Sequence, residues 1–234
     1  FERISKTIKL NSIFNILLWF VIIGIAYPLF LIIPLIGLIG KIILKANGTI
    51  NLEYSMDESE KAKYDERFNA WMLLNQCQKM WQITQQATVS NTKTNAGAGR
   101  NINRKQIKFC SKLPFYLKTN IDIVVIPLRM EKLILLPDKM LMIRGKKVGA
   151  ISYSTLNIDV RSTRFVESGV VPKDAQIIEY TWQFVNKNGS PDKRYSNNRQ
   201  LPVCHYADIL FASNEGLNVE LQCSNVELAS RFSE

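Results

Sequence analysis

The sequence predicts an α+β chain: an N-terminal transmembrane helical hairpin (or one kinked span), then a long amphipathic helix. A small antiparallel β-barrel or sandwich closed by a C-terminal helix follows. Three observations carry this. Ile13 to Gly40 is an almost unbroken apolar run in which Asn15 is the only clearly polar side chain. From Tyr64 to Ile83, apolar and aromatic residues recur at helical spacing. From about Arg104 onward, short runs rich in Ile, Leu and Val are separated by turn-forming residues.

The apolar run, extended through Leu44, is long for one crossing and short for two, since a span takes about 20 residues. Pro28 and Pro34 interrupt it, and a proline removes a helical hydrogen bond and disfavours helical geometry in the residue before it. One reading is a hairpin turning at Tyr27-Pro28, with arms that do not quite cross the bilayer. The other is a single tilted span through Ile13, Trp19, Pro28, Pro34 and Leu44. Arg3, Lys6 and Lys9 precede the run and Lys41 and Lys45 end it. Basic flanks at both ends suit a hairpin with both ends on the cytoplasmic side. The run is too long and too proline-broken for a cleaved signal peptide. The chain starts at Phe1, which leaves room for a missing upstream part.

The predicted organisation is a membrane anchor over 1–46, a linking helix within 47–89, a basic connector over 90–120 and a β-rich domain over 121–234. Ser55 and Glu58 have capping-box spacing at the helix start, and the helix is expected to run to about Gln86 or Ala87. Its aromatic stripe must bury against the following domain or against a second copy of the chain. The connector carries Lys93, Arg100, Arg104, Lys105, Lys108, Lys112 and Lys118 and no acid. Within it, the small-residue loop Thr94 to Arg100 is either a plain connector or an anion-holding nest. It lacks the GxxxxGK[ST] pattern of a P-loop.

Strands are expected at 121–126, 132–136, 139–144, 147–153, 156–161, 165–166, 177–185, 206–213 and 217–222. In the 177–185 strand, Ile178, Tyr180, Trp182 and Phe184 alternate with Glu179, Thr181 and Gln183, which predicts that the first set faces the core. Residues 225–232 read as the closing helix, capped by Asn225 or Ser224.

The net charge of +10 over 234 residues favours anionic partners without choosing among them. Cys77, Cys110, Cys204 and Cys223 are scattered, with no CxxC or CxH pair, which suits reduced thiols in the cytoplasm and offers no zinc site. His205 is the only histidine, and its strand neighbour Cys204 points to the opposite face. No catalytic residue, metal site or cofactor is therefore expected. The most site-like element is the polar loop Asn186 to Arg199, with Lys187, Lys193, Arg194, Asn198 and Arg199, joined by Arg161 and Arg164 from upstream. Such a group suits a bidentate clamp on phosphate or carboxylate. The competing reading is a solvated turn that ties its own backbone. No RNP, helix-turn-helix or zinc-finger pattern supports a nucleic-acid partner.

The stretch Leu133 to Tyr153, with Pro137-Asp138-Lys139 and Gly145-Lys146-Lys147-Val148, resembles bacterial pleckstrin-homology-like (PH-like) and GRAM-like domains. Lys93 to Arg100, Leu136-Pro137-Asp138, Arg164-Phe165, Thr181 to Arg194 and Asn198 to Val203 resemble signatures of an uncharacterised family of bacterial membrane-associated proteins. That resemblance implies the bacterial inner membrane and this architecture, and no established activity. The expected function is a non-enzymatic, membrane-anchored cytoplasmic module that binds an anionic ligand, lipid headgroup or protein partner. The alternative is an oligomeric pore-forming effector with a sensing β-domain, for which homo-oligomers would be required.

Overall fold

A computed structural model describes residues 1–88 and 92–233; the boundary expected between 89 and 90 lies outside the described residues. The N-terminal part is a helical hairpin. Its first arm is α1 (Glu2–Trp19), continued after Phe20 by α2 (Val21–Ala26). The second arm is a 3-10 turn at Pro28–Leu31 running into α3 (Ile32–Asn47). Tyr27 adopts an extended backbone (φ −132°, ψ 92°), as the residue before a proline prefers, and this reverses the chain. Gly37 lets the arms approach closely: a Cβ there would lie 2.9 Å from that of Leu17. The two arms are 25 and 20 residues long, with the length and apolarity needed to cross a membrane. Their outward faces are bare: Trp19 is 71 % exposed, Ile25 80 % and Leu29 84 %.

The remainder is a head built on two antiparallel sheets. After β1 (Ile50–Leu52), α4 runs from Glu58 to Leu74. Its capping box is Asp57 with Glu60, two residues beyond the expected Ser55–Glu58 pair: Asp57 accepts from the Glu60 amide at 2.7 Å. The helix is also shorter than expected. Asn75 accepts a hydrogen bond from the Phe109 amide through its side chain, at 3.1 Å, and the chain turns away. Residues assigned to the helix by spacing instead form strand β2 (Met80–Thr88). The aromatic stripe does bury on the head: Trp71 lies 4.9 Å from Phe232, 5.3 Å from Phe211 and 5.7 Å from Phe109, between ring centroids.

The later strands are β3 (Arg100–Ile107), β4 (Leu117–Thr119), β5 (Val124–Pro127), β6 (Glu131–Leu135), β7 (Lys139–Arg144) and β8 (Lys147–Ser152). They are followed by β9 (Asn157–Val166), β10 (Gln176–Trp182), β11 (Gln200–Ala212) and β12 (Asn218–Cys223). Helix α5 (Val226–Phe232) closes the chain, with the Asn225 side chain accepting from Leu228 N. Strands β5 to β8 form a four-stranded meander, and the six-stranded sheet has the order β10-β11-β12-β2-β3 with β9 beside β11. The two sheets do not close into a barrel. Because β2 and β3 belong to the six-stranded sheet, the stretch expected to be linker and connector is part of the head.

Alternation sorts the side chains into layers. Val124, Ile126, Leu133, Leu135 and Met140 of the meander face Ile209, Phe211 and Leu221 of the larger sheet, with α4 and α5 completing this core. The other face of the meander, with Val125, Ile134, Leu141 and Ile143, packs on Ile4 and Ile8 at the base of α1. The far face of the larger sheet carries a third cluster: Trp81, Cys204 and Tyr206, with Phe165 against them. The expected core face of β10 is not one. Ile178 and Tyr180 are exposed, because β10 is an edge strand with a register shift between Ile177 and Glu179.

Candidate anion-binding site

The third cluster holds an arginine. Arg104, on β3, lies with its guanidinium carbon 3.9 Å from the centre of the Trp81 ring and 4.1 Å from that of Phe165. This is cation–π geometry on two faces. It also forms an ion pair with Glu167 and donates to Gln222 Oε1 at 2.8 Å. Glu167 is buried and further held by the Tyr206 hydroxyl at 3.0 Å and the Gly169 amide at 3.1 Å. Burial first, then the Glu167 charge, pushes the Tyr206 phenol well above its usual pKa, so it stays a donor. Trp81, Phe165 and Glu167 did not emerge as site residues from the sequence, and Arg104 emerged only as one of the connector's basic residues. The five cage residues Trp81, Arg104, Phe165, Glu167 and Tyr206 share no local pattern; the usable hint was alternation at 204 and 206 and at 163 and 165.

Beside this cage opens a cleft of about 540 Å³. Its lining includes Arg100, Arg104, Arg164 and Arg199, with Glu167 as the acid among them, and the loop from Asn95 to Arg100 forms one wall. Arg100 donates to Gln86 Oε1 at 3.2 Å, and Arg199 donates to Gln183 Oε1 at 3.2 Å. Both partners are neutral amides. Neither arginine pairs with a carboxylate among the described residues. Two oriented positive charges therefore border the cleft with neutral amides as their direct partners, and the Asp208 and Glu220 carboxylates feel the Arg100 charge only from farther off.

The loop does not act as an amide nest. Ala96 (φ 51°) and Gly97 (φ 80°) turn it sharply. However, the Ala96, Gly97 and Ala98 amides are spent on Gln183 O, Thr92 O and Asn95 O. The charge at the cleft comes from side chains.

The structure divides the residues singled out from sequence. Arg164 and Arg199 border the cleft, but Arg164 forms an ion pair with Glu179 on β10. Arg161 pairs with Asp159, two residues away on the same face of β9. In the turn, Asn198 is structural: its amide donates to Phe184 O at 2.7 Å and its oxygen accepts from Phe184 N at 3.0 Å. Arg194 is folded onto buried Asp192, donating through Nε at 2.9 Å. That hydrogen bond is the main cause holding the Asp192 carboxyl at a pKa of about 2. Lys187 and Lys193 are solvent-exposed near the turn, where Gly189 (φ 81°) supplies the left-handed position. The 186–199 segment thus ties itself together, as a turn does, and offers Arg199 to the cleft.

His205 and Cys204 alternate to opposite faces of β11, and Cys204 lies in the buried outer cluster. Among the described residues, no group of three or more His, Cys, Asp and Glu side chains converges. Comparison with protein families, with curated proteins and with solved structures gives no match.

Proposed function

We propose that this chain is a non-enzymatic binding module anchored in the cytoplasmic leaflet of the bacterial inner membrane, whose head takes an anionic ligand or acidic protein partner at the arginine cleft. The observation that carries the reading is the pair Arg100 and Arg199, held by neutral amides beside a rigid arginine cage. Pre-oriented guanidinium groups suit phosphate and carboxylate. Both sheets and the core between them separate this cleft from the base of the hairpin. That placement favours a ligand from the aqueous phase over headgroups of the same leaflet. The PH-like outline draws support from the meander and the closing helix.

The hairpin suits anchoring. Lys41 donates to Asn15 across the arms at 2.8 Å, so these two polar groups of the hairpin satisfy each other. From Lys6 to Tyr27 the first arm rises about 30 Å at helical pitch, close to the hydrocarbon thickness of about 30 Å. The reversal at Tyr27-Pro28 then returns the chain, so both ends of the hairpin lie on the side of the head. A pore would need a polar stripe, and the polar pair on the arms is engaged with itself.

The test is calorimetric titration of the full chain in detergent with inorganic phosphate and with a polyglutamate peptide. Arg100→Gln combined with Arg199→Gln is expected to weaken the binding roughly tenfold or more. Equal binding by the variant, or no binding of either probe to the unaltered chain, overturns the assignment.

A further inference from the structure

A second site lies where the hairpin meets the head. Between α1 and α3 runs a crevice of about 390 Å³. Leu10, Phe14, Ile43 and Leu44 form its apolar wall, and Arg3 and Lys6 stand on its rim. No acid lines it. Neither Arg3 nor Lys6 is in an ion pair among the described residues. The crevice has the two chemistries of an amphiphile in the right order along the hairpin. The basic rim is at the end that joins the head, where Ser5 Oγ donates to Lys146 O at 2.7 Å. The apolar wall runs toward the bare isoleucines of the arms. We propose that this crevice is a specific site for one anionic phospholipid of the surrounding leaflet, its phosphate on Arg3 and Lys6 and an acyl chain along Leu10, Phe14 and Ile43.

The occupant follows from charge and solvent together. An apolar wall opening into hydrocarbon is filled by an acyl chain without the cost of desolvating a polar ligand. Two uncompensated cations beside it select a negative headgroup over a zwitterionic one. The site fixes more than affinity. Ile4 of α1 is buried in the head and Gly48 follows α3 directly, so a lipid wedged between the two legs bears on the joint itself. Anionic lipid is therefore expected to stiffen the angle between hairpin and head.

This inference rests on the membrane reading above, and the test separates the two. The full chain is reconstituted in phosphatidylcholine vesicles and floated on a density gradient; failure to float removes the anchor itself. The floated chain is then extracted with mixed phosphatidylglycerol and phosphatidylcholine and examined by native mass spectrometry. One retained phosphatidylglycerol is expected, with phosphatidylcholine lost. Arg3→Gln with Lys6→Gln is expected to lower that retention roughly 25-fold, as two basic contacts imply. Ile43→Trp, which fills the crevice without changing charge, is expected to abolish it, and circular dichroism reports whether the fold is kept. Lys61→Gln with Lys63→Gln, the same charge change on the exposed face of α4, is expected to leave retention intact. Equal retention of the two lipids, or equal loss in the α4 control, overturns the site while leaving the anchor standing.

Discussion

Residues 13–43 and residues 123–143 are both dominated by isoleucine and leucine, and they do opposite things with them. In the meander, Ile134 is 0 % exposed and Leu141 1 %, locked between the core and the base of α1. In the hairpin, Ile25, Leu29 and Ile42 look outward with nothing covering them. The backbone explains how both are possible. Helices satisfy their own amides and can present apolar side chains to lipid, whereas strands need neighbours and a covering layer. Composition marks where apolar surface is; the hydrogen-bonding pattern of the backbone decides which solvent it wants.

Three comparisons, made with four substitutions, sharpen that contrast. The largest effect is expected where the head buries charge instead of hydrocarbon. Arg104→Met leaves Glu167 buried with only the Tyr206 and Gly169 donors, and is expected to cost about 3–5 kcal/mol in urea unfolding of the chain in detergent. Next comes a matched pair. Ile134→Ala removes packing between the meander and the base of α1 and is expected to cost about 2–5 kcal/mol, whereas Ile25→Ala on the bare arm is expected to shift the same transition by less than about 0.5 kcal/mol. Similar losses from the two would show that the arm is packed against protein. The smallest effect is a pH dependence. Asp192 has a depressed pKa in the folded chain, so its contribution is fully present above the ordinary carboxylate range and is lost as pH falls through about 2. Thermal unfolding between about pH 5 and 2 should show a shallower decline in Asp192→Asn than in the unaltered chain.

Much of the fold was legible because punctuation residues act locally. Tyr27-Pro28 places the hairpin turn, Pro137-Asp138 and Gly145 set the meander, and Asn225 caps the last helix. Met80, Trp81 and Ile83 misled, because three apolar residues at that spacing fit a helix end as well as a strand start. Asn75 settled the matter through its bond to Phe109, a residue 34 positions away. The alternation in β10 was real, but an edge strand with a bulge can leave its apolar face in water, as Tyr180 does. Among the site residues, Arg164 and Arg199 were visible as basic residues in loops and strand ends. The cage was not, since Trp81, Arg104 and Tyr206 meet only when β2, β3 and β11 lie in one sheet. Arg194 drew notice for its charge, and Asp192, two residues before it, had already claimed that charge.

The two legs of the hairpin enter the head without slack. Ile50, two residues past Gly48, already donates its amide to Tyr116 O at 2.8 Å, and β1 pairs in parallel with β4 from that point. On the other leg, Ile4 is pinned under the meander. Such a two-legged mount forbids the head from tumbling as a ball on a string. On the function proposed above, anything the arginines grasp is held at a set height and bearing above the lipid, and a pull on it is passed to the bilayer as a torque.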